Sequence, residues 1–314
     1  MNLSPQFVDM LRCPVSGKAV LWDGFHLTSL DGSISYRVDR SGIPLFAENL
    51  CSEDARRQQN HFEKISKRYI ENLGYPHTQE YMAYLDAAFL DLAAQANCVV
   101  TAEICCGSGE AFRLLERRVG SGVGVDISAS MLDVARHFLR DRRYCFIQGD
   151  ATNLPLNDAT FDSVFIIGGI HHVNDRKRLF SEIYRVLKPG GRFYWREPVS
   201  DFFLWRWLRA LIYWLSPALD EKTERPLLYE ETVPVLAQAG LELKRWETHG
   251  FLGYCLLMNS DVLVFNRLFR YLPGIRPLTR LMAKLDGWTV RIPGLRNAGL
   301  IVIGMAEKPK SAQS

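Results

Sequence analysis

The chain is 314 residues long, enough for one large domain with a small appendage. Hydrophobic residues make up 47% of it and charged residues 23%, the balance of a soluble globular enzyme. A formal charge of +3 argues against gripping nucleic acid through net charge, and leaves only a local basic patch for that role. The seven cysteines, at 13, 51, 98, 105, 106, 145 and 255, form no C-x-x-C pair and are expected as reduced thiols. Met1 to Arg12 lacks the apolar run of a signal peptide, and no segment offers about eighteen uncharged apolar residues, so a cytoplasmic protein is expected.

Residues 1–48 read as short strands broken by Asp23-Gly24, Asp31-Gly32 and Ser41-Gly42. Residues 50–72 are charged and helical in tone, and Tyr81–Ala96 has the apolar period of a helix. From Val99 the pattern becomes regular. Strands are predicted at Val99–Cys105, Val123–Ile127, Cys145–Gly149, Phe161–Ile167 and Arg192–Glu197. Between them fall helices at Glu110–Arg118, Ser130–Arg140 and Arg176–Leu187, the last ended by the breakers Lys188-Pro189-Gly190-Gly191. That alternation predicts an α/β fold with a doubly wound parallel sheet. An aromatic insertion, Phe202–Leu215, follows. A helix at Glu230–Ala239, a strand at Leu241–Thr248, a helical stretch at Asp261–Leu272 and a strand at Leu300–Ala306 complete the chain.

Ligands of open α/β sheets bind beyond the carboxyl ends of the strands. The first regular strand ends in Glu103-Ile104-Cys105-Cys106-Gly107-Ser108-Gly109, where glycines let a ligand approach the backbone closely. Asp126 ends the next strand, 19 residues past Gly107, where a carboxylate can accept from both hydroxyls of a ribose. Asp150, in Gln148-Gly149-Asp150-Ala151, ends the third, where it can accept from an adenine amino group while the Ala151 N–H offers a donor. The fourth delivers Gly168-Gly169-Ile170-His171-His172 to the same rim. Each acid alone reads as a solvated strand end; the set points to a nucleoside. A nicotinamide enzyme would want G-x-G-x-x-G, whereas Gly109 is followed by Glu110, Ala111 and Phe112.

Together these segments resemble the class I S-adenosylmethionine-dependent methyltransferases, in the broad group that includes ubiquinone, menaquinone and many natural-product enzymes. The acid-x-G-C-G-[ST]-G motif of that family corresponds to Glu103–Gly109, with Cys105 in place of the first glycine. Asp126, Asp150, Phe161-Asp162 and Leu187–Gly191 agree in order and spacing, and the resemblance is strong over about residues 97–200. It implies a Rossmann-like methyltransferase sheet with S-adenosylmethionine held by Glu103, Cys105, Gly107, Gly109, Asp126, Ile127, Met131, Asp150, Ala151 and Gly168. In-line methyl displacement is expected of that chemistry. No metal-ligand set stands near the fourth strand, so transfer without a metal is expected, and the aromatic insertion favours a hydrophobic small molecule of polyketide, quinone-like or isoprenoid type. His172 is the leading candidate for a general base or substrate contact and His171 the second, with packing at the strand end weighted equally.

In the aromatic insertion Phe203, Trp207, Leu211 and Trp214 share one helical face, as in a substrate cap. Trp207 and Trp214, with Tyr69 from the preceding helices, are the expected substrate contacts. Within Asp261–Arg296, Arg267, Arg270, Arg276, Arg280 and Lys284 stand among apolar residues. A solvated basic face is the favoured reading there; a weak membrane-surface patch and a diphosphate contact are the others.

The N-terminal segment resembles a small zinc-ribbon-like domain, whose ligands would fall at Cys13, Ser16, Ser29 and Gly32. Only Cys13 is a ligand type, so a ribbon without metal is expected. The organisation expected is a degenerate ribbon at 1–48, a linker with helices over the active site at 49–96, and a methyltransferase domain at 97–314. That domain carries a helical aromatic cap near 201–228 and a further helical insertion near 255–296. Two alternatives stay open: a ribosomal RNA guanine methyltransferase, whose family also carries an N-terminal zinc ribbon, and a cofactor-binding protein without catalysis.

Overall fold

The computed structural model describes residues 3–48, 51–208, 225–258 and 264–310, with the backbone alone at 61–62, 64–70 and 264. Its centre is a seven-stranded sheet. In chain order the strands are β4 (Val100–Ile104), β5 (Ser121–Asp126), β6 (Tyr144–Gln148), β7 (Phe161–Ile167), β8 (Leu187–Pro198), β9 (Glu242–His249) and β10 (Ile301–Glu307). They lie in the order β6-β5-β4-β7-β8-β10-β9, with β10 antiparallel to both its neighbours. Chain order therefore runs one way from β4 through β5 to β6, and the other way from β4 to β7 and β8. The crevice where those directions part, beside the carboxyl end of β4, is where such sheets bind ligands. The fold is the predicted α/β class.

Helices cover both faces. After a short α1 (Pro5–Val8) come α2 (Glu53–Leu73), α3 (Pro76–Leu92), α4 (Glu110–Leu114), α5 (Ala129–Phe138) and α6 (Arg176–Val186), of which α2, α4 and α5 line the crevice. Local signals start them: Ser52 accepts from the Ala55 N–H, Ser128 from Met131 and Asp175 from Arg178, each an N-cap. Helix α4 stops at Leu114 rather than at Arg118. Arg118 instead turns its guanidinium onto the carbonyls of Ala93, Ala94 and Ala96. After α7 (Tyr229–Gln238) and β9, the predicted helix at 261–272 is a 3-10 helix over Val264–Tyr271, flanked by α8 (Leu252–Met258) and α9 (Ile275–Thr289).

The N-terminal residues form a three-stranded antiparallel sheet, β1 (Val20–Trp22), β2 (His26–Ser29) and β3 (Ser35–Arg37). Leu11, Leu27 and Phe46 are fully buried in one apolar cluster with Ile147 of the large sheet and Leu156 of the segment that follows it. Burial of such a side chain contributes about 1.5–3 kcal/mol. Leu45 also pairs in parallel with Gln148, and the Phe46 N–H donates to the Gln148 carbonyl, so this segment extends the sheet beyond β6. Packing is continuous across residue 48. Of the four positions that resemble zinc ligands, Ser29 ends β2 and the others lie in the connecting segments. Cys13 Sγ lies 3.0 Å from Tyr36 Oη, and Ser29 and Ser33 both donate to Asp31.

Candidate active site

A cleft opens at the carboxyl ends of β4, β5, β6 and β7. Of the residues predicted to hold the cofactor, Cys105, Gly107, Asp126, Ile127, Met131, Asp150, Ala151 and Gly168 line it, and so does His172. Ser52, Asp54, Ala55 and Gln58 of the α2 start form the facing wall.

Asp126 ends β5 with its carboxylate at the floor. One oxygen accepts the Gly107 N–H and the other the Ser128 N–H, both at 2.8 Å. Burial pushes its carboxyl above the usual carboxylate range despite these donors. A carboxylate has about four acceptor sites, so two remain for further donors, and the pair suits two neighbouring ribose hydroxyls. Asp150 has less to spare. It accepts the N–H and hydroxyl of Thr152 on one oxygen and the Ser52 N–H on the other, leaving room for one amino hydrogen. Gly168, at φ +70°, has nothing within 4 Å of where a Cβ would stand, so this part of the rim is open space. These residues fit S-adenosylmethionine.

Two predicted cofactor residues stand elsewhere. Glu103 is buried beneath the loop and accepts the Ala111 and Phe112 N–H groups at 2.8 and 3.1 Å, so it ties down the start of α4 rather than reaching the cleft. Gly109 is required by packing: at φ +75° it precedes α4, and a Cβ there would fall 2.6 Å from Leu139 Cδ1. Burial pushes the Glu103 carboxyl up to about 8 from an ordinary value of 4.5. Between those values the folded chain holds a proton that the unfolded chain has released, so stability falls as pH rises through that window. Glu103→Gln is expected to flatten this dependence, read as the urea midpoint against pH from about 5 to 8.

Cys105 occupies the family's glycine position and adopts the conformation glycine would, φ +51°. An L-residue there costs about 1–2 kcal/mol. Its Cβ lies 2.4 Å from the place a Cβ on Gly169 would take. Gly169→Ala is therefore expected to destabilise by about 2–3 kcal/mol. Cys105→Gly alone should stabilise by about 1 kcal/mol, and the double variant should recover much of the loss in urea melts. Burial and the nearby carboxylates of Asp126 and Glu197 push the Cys105 thiol far up, so it stays protonated.

The rim after β7 turns through a 3-10 helix, Ile170–His172. Glu197, at the end of β8 and fully buried, organises it. Its oxygens accept the N–H groups of Gly169, Ile170 and His171 at 2.7, 2.8 and 3.3 Å, and His171 Nδ1 lies 2.7 Å from Oε2. His171 does not line the cleft; its ring lies 3.8 Å, centroid to centroid, from that of His172, which does. Sequence reading missed Glu197. Its only signal was an acid at the carboxyl end of the strand, next to Arg196 and after the apolar run Phe193-Tyr194-Trp195. Arg196, also missed, is buried and bridges Asp86 of α3 at 2.6 Å to Glu110 on the cleft wall at 2.5 Å.

The expected cap contacts are not assembled here. Trp207 is 62% exposed and away from the cleft, while Trp205 is the buried one, donating to the Ala298 carbonyl at 2.6 Å. The helical period selected the outward face of this short segment. Trp214, and the side chain of Tyr69 on α2, lie outside the described residues.

Residues 102–195 match the model of a methyltransferase domain. A demethylmenaquinone methyltransferase of Lactiplantibacillus plantarum is 28% identical over 62% of this chain and 91% of its own length. The 2-phytyl-1,4-beta-naphthoquinone methyltransferase of Arabidopsis thaliana is 44% identical over 29% of this chain and 38% of its own. This chain spans 38–61% of the length of that protein and of six other similar quinone-type methyltransferases. Among solved structures, the Haloferax volcanii complex of the activator Trm112 with a methyltransferase gives a TM-score of 0.54 at 18% identity, covering 82% of this chain and 99% of the other, a likeness of fold. With the sheet order, the cleft at its switch point and the matched segment in agreement, the chain carries a class I S-adenosylmethionine-dependent methyltransferase domain.

Proposed function

We propose that the protein transfers the methyl group of S-adenosylmethionine to a hydrophobic acceptor of quinone type in its reduced form, with His172 taking the acceptor's proton. The observation that carries this reading is the placement of His172 on the same cleft as Asp126 and Asp150. The similarity to demethylmenaquinone and phytylnaphthoquinone methyltransferases supports the acceptor class.

The cofactor supplies a methyl group on a sulfonium, open to in-line attack. The chain's own residues do the rest. Asp126 and Asp150 fix the nucleoside end, so the methyl is presented at one place. Removing the hydroxyl proton of a hydroquinone raises electron density on its ring carbons and oxygens, which makes the acceptor a better nucleophile. His172 is the histidine that lines that rim. The Glu197 carboxylate holds His171 through Nδ1, and His171 packs beneath the His172 ring, so the base is set in place before the acceptor arrives. The α2 start, held by Asp150 on Ser52 and by Asp54 on Asn174, covers the cleft and limits water.

The test is transfer of label from methyl-labelled S-adenosylmethionine to reduced demethylnaphthoquinones, run beside structured RNA. Label in the lipid extract, reduced about 100-fold by His172→Asn, is the expected result. Label in RNA alone would overturn the proposal.

A further inference from the structure

Among the described residues, the segment between β9 and β10 lines no part of the cleft, and it carries an unusual surface. Strand β9 enters it at His249 and β10 leaves it at Ile301, and both pair at the end of the sheet marked by Pro198 of β8. The described residues between His249 and Ile301 therefore start and end at the same carboxyl edge on which the cleft opens. The inner face of α9 is fixed: Asp286 accepts the N–H groups of Phe251, Gly253 and Tyr254 and the hydroxyl of Tyr81 on α3. Arg276 and Arg280 both pair with Glu80 of α3.

The outer face is apolar. Leu278, Leu281, Leu285 and Trp288 recur at helical spacing along α9, all exposed, and Trp288 is 68% exposed. Phe265, Leu268 and Tyr271 on the preceding 3-10 turn are exposed too. Beside the stripe run exposed cations, Lys284 and Arg291. Between residues 262 and 300 the sequence has seven arginines and lysines against one acid, Asp286, and that acid is buried. Single exposed apolar residues need no explanation; an apolar stripe beside a cationic flank does.

We infer that this face, the outer side of α9 with the 264–272 turn, docks the protein on an anionic lipid surface. Apolar residues entering the boundary, aromatic residues at its level and cations toward the headgroups are the arrangement of an interfacial helix. A second copy of this chain fits less well, since a two-fold pairing of the face would set the cations of one copy against those of the other. Docking there turns the cleft edge toward the bilayer. The inference goes beyond the proposed acceptor and does not depend on it.

The test is co-sedimentation of the full chain with vesicles of phosphatidylcholine, with and without about one-third phosphatidylglycerol. Binding to the anionic vesicles that is several-fold stronger, and lost in about 0.5 M salt, is expected. Lys284→Glu with Arg291→Glu should weaken it at least about tenfold, and Leu281→Glu with Trp288→Glu should do likewise. All four side chains are exposed, so melting temperature and turnover of a short-tailed, water-soluble acceptor should stay unchanged. Equal binding to both vesicle types, variants that bind as the parent does, or a parent dimer that Leu281→Glu with Trp288→Glu converts to monomer would each overturn the inference. Vesicle binding without turnover of any quinol would count against the proposed acceptor and leave the docking face standing.

Discussion

Asp126→Ala is expected to weaken binding of S-adenosylhomocysteine at least about 100-fold, read by titration calorimetry. Each hydrogen bond to a charged acceptor contributes about 1.5–3 kcal/mol, and two ribose hydroxyls would lose theirs together. The loss extends past the ligand. Asp126 also accepts the Gly107 and Ser128 N–H groups, so the glycine loop and the start of α5 lose a common anchor. Asp126→Asn keeps one oxygen and should cost only about tenfold. Affinity unchanged in both variants would remove the nucleoside from this end of the cleft.

Glu197 carries the second large effect. Four N–H groups converge on a carboxylate with no exposure, so Glu197→Ala leaves them without their acceptor in the interior. A loss of about 3–5 kcal/mol in folding stability is expected. Glu197→Gln separates positioning from folding. It keeps the volume and one acceptor oxygen but turns an amide toward one of those donors, and it no longer holds His171 in one tautomer. Turnover should fall about 100-fold or more with the cofactor KM nearly unchanged, and the pH–rate profile should shift. A purely structural Glu197 would lower stability in both variants and leave the profile where it was.

The fold of the central region was legible because its signals are local. Phe161–Ile167 is the strand that its apolar run predicts, and the breakers at Lys188–Gly191 mark the start of β8 to within a few residues. Strand ends carrying acids located the cleft, since a periodic β/α pattern fixes which ends of the strands share an edge. What a motif could not convey is which of its residues face outward. Glu103 and Gly109 belong to the motif yet serve the loop's own packing, and only the three-dimensional neighbours, Phe112 and Leu139, reveal it. Glu197 and Arg196 were illegible for the opposite reason. Their partners lie between 26 and 110 residues away, beyond any local period. In the cap, periodicity defined a face at Phe203 and Trp207 without saying which side would meet the core. The helical insertion near 255–296 was legible, and α9 falls within it, but its sequence did not say that its apolar residues would be split between a side packed on α3 and an exposed one.

The most direct measurement is a crystal structure grown with S-adenosylhomocysteine. The ribose hydroxyls are expected on the Asp126 carboxylate, the adenine beside Asp150 and Ala151, and the sulfur facing the His172 side of the cleft. A ligand bound in this cleft with its sulfur turned away from His172, or one seated outside the cleft, would contradict that placement.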